Sequence, residues 1–570
     1  VVLNNSHPEG VPVTAWVVFL VVPLLFVWQG LDLGDAGYYL TIYQNFFSHP
    51  EAILYSFPTW LTNLAGASWL TVVPLPGLLA IRIFNALVLA ATAAAAYRLL
   101  SGVVARGPLL AALTVTLLFS RSFIDSFGYN SLTGLVAVVA VLCLTEGLVR
   151  DRRRGLVLAG FLCALNVFVR LPNLLDLALA LGIPFWVVVN RLPVSRLVGG
   201  AAWMAAGFAA GFGVCVVALV GFGHGALYLQ ALSVFAQVGT TRGTGHGLAD
   251  MLKAVPSEAV RGLPALGAFG LWWFLSAFGE RRGLTVPRWA GLVPAAALVG
   301  VAVLDAGNGG ALTGLRDGVV AGVKLITAVV LLTGLAGFLK APARWRLLCL
   351  LGLIVLEATP FGSAVALQNS VFGFWIALPL VLCSASAVSV RGLASASRAL
   401  SLVLAGFIAV LSLLSTYQDS TDRWRLVHPL TAPSLAGVLT TPERAEAVDG
   451  LVRALGAHRG EFRGRTMVCY GGWAPMVYAL AGYPPALAYF WAEVPEYSAD
   501  QLAHDLDQIP LADLPLVVLL DGPFDADPRW PVVGAPEPDD PKRAALDRFT
   551  GFRGYRTVWT NQRFTLLLPP

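Results

Sequence analysis

Long apolar runs broken by short polar connections make up the first three-quarters of the chain. They fall at roughly 11–30, 77–98, 107–122, 131–149, 155–170, 174–190, 197–222, 263–279, 287–304, 319–339, 345–357, 371–390 and 399–416. A helix needs about 20 residues to cross the hydrocarbon of a bilayer, so the pattern predicts a polytopic α-helical membrane protein with about 13 transmembrane helices. The connections fix its orientation. Arg98/Arg106, Arg150 to Arg154, Arg191/Arg196, Arg281/Arg282/Arg288, Lys340/Arg344/Arg346 and Arg391/Arg398 all lie on alternate loops, which hold 16 basic residues against six on the others. Basic loops stay in the cytoplasm. The N-terminus is therefore expected inside and, after an odd number of spans, residues 417–570 outside.

Beyond residue 416 the period changes. A helical stretch at 441–457 is followed by a strand-like run at Thr466–Tyr470, a turn at Gly471-Gly472 and an apolar segment around Trp473–Leu480. A second buried strand at Leu516–Leu520 ends at Asp521-Gly522-Pro523, and Thr557–Leu568 alternates as a strand does. The reading is two domains: a transmembrane domain over 1–416 and a soluble extracytoplasmic α/β domain over 417–570. The tail glycines lack the GxGxxG order of a dinucleotide fingerprint.

Composition sharpens this. Of 570 residues 57% are hydrophobic and 12% charged, and mean hydropathy is +0.73; soluble domains carry about 25% charged residues. A cytosolic enzyme, a disordered chain and a nucleic-acid binder are excluded. Residues 1–416 hold 24 Lys+Arg against 14 Asp+Glu, and 417–570 hold 14 against 19. Five of the six cysteines lie in apolar runs, and Cys469 stands alone in the tail, so no internal disulfide or zinc pattern arises there. The first apolar run lacks a small-residue cleavage site and reads as a retained span.

Ten of the 14 acidic residues of 1–416 sit on the outer face, and chemistry is expected there. Asp35 follows the first span, with Asp32 before it and Tyr38-Tyr39 after it. A carboxylate held against apolar surface suits general base work; equally, Asp32 and Asp35 could cap a helix starting at Tyr38. Asp125, between Arg121 and Tyr129-Asn130, is either a second acidic site residue or the partner of Arg121 in an i,i+4 ion pair. Arg82, Arg170 and Lys324 lie near the outer ends of spans, where a charge is costly. A lipid phosphate would satisfy them, as would snorkelling or pairing with Asp176 or Asp317. His224 and His246 flank an outer segment with a Gly-rich stretch at 239–247, read as a lid or acceptor loop. Glu357 and Gln368-Asn369 bracket an outer Pro360-Phe361-Gly362 loop expected to line the same cavity.

A first span leading to the outer motif Gly34-Asp35-Ala36-Gly37-Tyr38-Tyr39-Leu40, with Tyr129-Asn130-Ser131-Leu132, Val169-Arg170-Leu171-Pro172 and a C-terminal outer domain, resembles the GT-C glycosyltransferases. Ala36 stands where the protein O-mannosyl and aminoarabinose branches commonly have Glu, and the Trp-Trp-Asp motif of oligosaccharyltransferases is absent from the tail. The resemblance implies a multi-pass enzyme of a prokaryotic plasma membrane. Its donor would be a polyprenyl-phosphate sugar entering from the outer leaflet, and its acceptor a glycan, lipid or protein. It implies a single inverting displacement with Asp35 as base and Asp125 as a further acidic residue. Tyr38, Tyr39, Arg121, Tyr129, Asn130, Arg170, Lys324 and Glu357 would bind substrate; a divalent metal is open, and no other cofactor is implied. A transporter or lipid flippase, or a polysaccharide ligase or polymerase, is the alternative. The sequence lacks the paired Gly/Pro-broken spans that transporters often carry.

Overall fold

Away from water a lone segment satisfies its N–H and C=O groups only by coiling on itself, and the apolar runs do so. The computed structural model describes residues 10–240, 248–283, 311–336, 341–361, 369–384, 392–414, 416, 423–462, 466–471, 474–494, 497–520 and 539–570. Its first part is helical: α1 (Val13–Leu24), α2 (Asp35–Asn45), α3 (Trp60–Val72), α4 (Gly77–Leu100), α5 (Arg106–Arg121), α6 (Tyr129–Val149), α7 (Arg153–Val169) and α8 (Gly182–Val189). Then come α9 (Val194–Gly221), α10 (Gly225–Thr240), α11 (Leu248–Arg281), α12 (Ala311–Leu335), α13 (Ala343–Ala358), α14 (Phe374–Leu382) and α15 (Leu393–Leu414).

Among the described residues five helices are long and apolar enough to cross a membrane: Gly77–Leu100, Tyr129–Val149, Leu171–Val189, Val194–Gly221 and Ala259–Arg281. Shorter apolar helical stretches lie at Val13–Leu24, Gly225–Val234, Val319–Leu335, Ser370–Leu382 and Leu393–Ile408. The run at 11–30 yields only twelve helical residues, because Pro23 lies inside α1 and Phe26 turns to a left-handed φ of 65°. The span expected at 287–304 lies outside the described residues, as do Gly472, Gln368, His246 and Asp521 to Pro523.

Helices approach most closely where glycine removes the side chain. A Cβ on Gly160 of α7 would fall 1.9 Å from the Met204 carbonyl oxygen of α9, and one on Gly207 of α9 equally close to that of Val157. Bare backbone meets bare backbone there, the usual basis of tight packing between apolar helices.

The connection at 31–76 is more ordered than a loop. It contains α2, a 3-10 stretch Pro50–Thr59 and α3. The helix expected from Tyr38 begins three residues earlier, at Asp35.

The C-terminal part is a small mixed sheet with helices. A two-residue pair, β1 (His428–Pro429) and β2 (Leu439–Thr440), precedes α16 (Pro442–Ala457), β3 (Met467–Tyr470), α17 (Met476–Ala481), α18 (Ala499–Asp507), β4 (Leu516–Leu520), α19 (Pro541–Phe552), β5 (Arg556–Thr560) and β6 (Phe564–Leu568). The four-stranded sheet runs β3-β4-β6-β5, with β3 and β4 parallel and the other pairs antiparallel. The alternation at 557–568 is a hairpin, its turn held by Asn561, whose Oδ1 accepts from the N–H groups of Arg563 and Phe564 at 2.9 and 2.7 Å.

One apolar core joins this sheet to the first connection. Leu31, Leu33, Leu40, Phe57 and Trp60 are buried in the same cluster as Leu430, Val448, Met476, Phe490 and Leu566. Backbone bonds stitch the seam: Leu439 N–H donates to Trp28 O at 2.6 Å, Gly30 N–H to Leu439 O at 2.9 Å, and Met476 N–H to Leu33 O at 3.0 Å.

Candidate active site

The start of α2 builds the site. Asp32 is fully buried, and its carboxylate accepts the N–H groups of Gly34 and Ala36, both at 2.8 Å. It satisfies donors that every helix start leaves orphaned. The cap is therefore Asp32, and Asp35, in the first turn, keeps its side chain partly exposed. Burial, then the charges of Asp35 and Asp125, hold the Asp32 carboxyl above the usual carboxylate range, against the Ala36 N–H and the Arg82 guanidinium.

Gly37 and Thr41 settle α2 onto the C-terminal part. A Cβ on Gly37 would fall 2.2 Å from Met476 N, and Thr41 Oγ1 donates to Pro475 O at 3.0 Å. Tyr38 consequently stacks on Phe490 (5.3 Å, 17°) and leans on Trp491 (5.3 Å). Tyr39 turns the other way, edge-on to Tyr129 at 5.8 Å, over Gly128, where a Cβ would strike its ring at 2.3 Å. Burial raises the hydroxyls of both tyrosines, with Asp35 and Tyr129 adding to the effect, so both remain neutral donors.

Arg170 closes this aromatic wall. Its guanidinium lies 5.3 Å from the centre of the Tyr129 ring, and Nη1 donates to Thr359 O at 2.9 Å. Nη2 is buried without a hydrogen-bond partner among the described residues, an expensive arrangement unless an anion completes it. The backbone behind it is fixed by a polar clasp. Asn173 Nδ2 donates to Thr133 Oγ1 (2.8 Å) and to the O and Oδ1 of Asn166 (3.1 Å each), ending α7 at Arg170.

The remaining candidates separate. Asp125 is ion-paired at 2.6 Å with Arg82, not with Arg121, and accepts from Ser126 Oγ at 2.8 Å. Arg82 also donates through Nη1 to the carbonyls of Val27, Gln29 and Gly30, so it anchors the end of the first apolar run. Arg121 and Arg423 share the field of this pair. Lys324 lies 3.5 Å from Glu357, with side-chain exposures of 13% and 47%, two residues before the Thr359 that holds Arg170. Asn130 donates to Asn369 Oδ1 at 3.4 Å. His224 is buried, accepting from Trp60 Nε1–H at 3.1 Å among Phe46 and Phe57, so the start of the supposed lid is pinned.

Asp35, Tyr38, Tyr39, Tyr129 and Arg170 are thus brought together, with Asp32 and Asp125 beside them. Among the described residues no three His, Cys, Asp or Glu side chains converge as ligands, and the carboxylates of Asp32 and Asp125 are engaged by backbone N–H groups and by Arg82. Sequence reasoning missed Phe490 and Trp491, the Asn166–Asn173–Thr133 clasp and the Arg82–Asp125 pair. Polar asparagines inside an apolar run were the visible signal for the clasp.

No family model matches the chain, and no curated protein matches it. Among solved structures the chain is similar to the crystal structure of the Archaeoglobus fulgidus oligosaccharyltransferase in the apo form. The identity is 15%, over 89% of this chain and 69% of that one, with a TM-score of 0.45. A likeness of that size leaves the reading of the site to the residues themselves.

Proposed function

We propose that the protein is an integral membrane glycosyltransferase of the GT-C kind, moving a sugar from a polyprenyl-phosphate donor to a hydroxyl of an extracytoplasmic glycan, lipid or protein. The observation that carries this reading is one juxtaposition. Asp35, a partly exposed carboxylate, lies one helical turn before Tyr39, whose ring meets Tyr129, and Tyr129 faces the buried Arg170 guanidinium, whose Nη2 lacks a hydrogen-bond partner among the described residues. A base and an anion cradle on the two sides of one wall are what displacement of a phosphate from a sugar requires.

In the reaction, Asp35 removes the acceptor proton as the acceptor oxygen attacks the anomeric carbon. The bond from that carbon to the phosphate oxygen breaks, and the phosphate departs with the electron pair toward Arg170. Inversion follows from the single displacement. Tyr38, Phe490 and Trp491 offer ring faces to the acceptor. Asp125 acts through Arg82 as a positioning residue, and Lys324 with Glu357 supports the loop at Thr359.

The test uses purified full-length protein with a polyprenyl-phosphate sugar. Arg170→Ala is expected to raise the donor KM far more than the acceptor KM, and Lys324→Ala to do so more weakly. Efficient turnover with a water-soluble nucleotide sugar as sole donor would contradict the proposal.

A further inference from the structure

A cavity of about 580 Å³ lies at the far end of the helices from Asp35, between the α6–α7 turn, the α8–α9 turn and the first two turns of α9. Its polar lining is Arg153, Arg196, Asp151, Asn190 and Ser195, and its apolar lining includes Trp186 and Trp203. Arg153 lies 5.3 Å from the centre of the Trp203 ring, and Arg196 pairs with Asp151.

The two turns that frame it are built alike. Arg152 N–H donates to Gly147 O, and Leu192 N–H to Val187 O, both at 2.9 Å. Each closes a helix C-terminus through a left-handed residue, a place where glycine is usual. Here the residues are Asp151 and Arg191, both at φ 53°. Neither helix start facing the cavity, that of α7 or of α9, has a side-chain cap. The helix C-termini are therefore satisfied while positive helix starts and two guanidinium groups face the space. Beyond the rim, Val194 and Val198 form an exposed apolar flank on α9.

We propose that this cavity binds the phosphate of one anionic glycerophospholipid, its acyl chains lying along the exposed flank of α9. Arg153 and Arg196 against the single carboxylate of Asp151 leave the lining positive, and Arg152, Arg154 and Arg191 add to that field. The tryptophans are suited to headgroup depth. The leaflet, cytoplasmic by the basic-loop rule, rests on the topology reading; binding itself does not.

The test is made on purified full-length protein in neutral detergent, where sidedness plays no part. Phosphatidylglycerol is expected to raise the Tm of the wild type by about 2–4 °C over phosphatidylcholine, and anionic lipid to co-purify with it in native mass spectrometry. Arg153→Gln should lose at least half of the shift, and Asp151→Asn, which removes the opposing charge, should enlarge it. The Asn variant keeps the test decisive if the Gln variant does not fold. Equal shifts with both lipids, an undiminished shift in Arg153→Gln, or the same shift from millimolar inorganic phosphate without lipid would overturn the proposal.

Discussion

Asp32 and Asp35 stand three residues apart in one motif, yet their surroundings give them different work. Asp35→Asn keeps size and shape and is expected to lower transfer by at least about 10²-fold, the lower end of general base catalysis, at unchanged Tm. Retention of more than a tenth of wild-type turnover would sink the assignment. Asp32→Asn is the control and should stay within a few-fold of wild type. Asp32→Ala, which leaves two helix-start N–H groups unmet, is expected to cost about 1 kcal/mol of stability. Glu493 supplies a pH test. It accepts from Gly471 N–H at 2.6 Å, and burial raises it to about 7. A carboxyl whose folded value lies above its unfolded one stabilises when protonated, so stability declines as pH rises from about 4.5 to 7. Glu493→Gln should therefore be the more stable protein at pH 8, with the difference in Tm shrinking as pH falls and vanishing below about pH 4.5. The acidic motif was legible in the sequence because its residues are neighbours. The division of labour was not, since it depends on N–H groups whose direction only the folded turn sets.

Elements meet here through missing side chains. Gly37 lets α2 lie on the start of α17, and an added Cβ would meet backbone, which cannot swing aside. Gly37→Ala is expected to cost about 1–3 kcal/mol and to make residues 423–570 more sensitive to limited proteolysis than the helices. If the digestion pattern of Gly37→Ala matches wild type, the seam is not closed as described. Helices on apolar runs, the helix at 442–457 and the strand at 516–520 followed from periodicity, because period is a local property. The pairing of Arg82 with Asp125, Trp60 with His224 and Arg170 with the Thr359 carbonyl joins distant parts of the chain. Nothing in the spacing of those residues encodes it. Within 31–76 the helix near Tyr38 was legible from its capping residues, whereas the 3-10 stretch Pro50–Thr59 and α3 were not expected.

For the molecule as a whole, sidedness is the first matter to settle. Cys469 is buried and hydrogen-bonded to Ala474 O, so it is a poor reporter. Leu511, 70% exposed on the C-terminal part, is a better one. Leu511→Cys should react with a membrane-impermeant maleimide in intact spheroplasts, and Arg152→Cys only after lysis. The reverse result would invert the topology and move the site to the other face. The joint core has a consequence for biogenesis. Residues 31–76 leave the ribosome about 400 residues ahead of the strands and helices that cover Leu33, Leu40 and Phe57. At roughly 5–20 residues per second, that apolar surface waits about 20–80 s for its cover. Until the final strand pairs, Tyr38 has no Phe490 to rest on and α2 no seat. This early-made segment is thus among the last parts of the chain to be covered, and a chain stopped short of β6 carries the acidic motif without the sheet that packs on it.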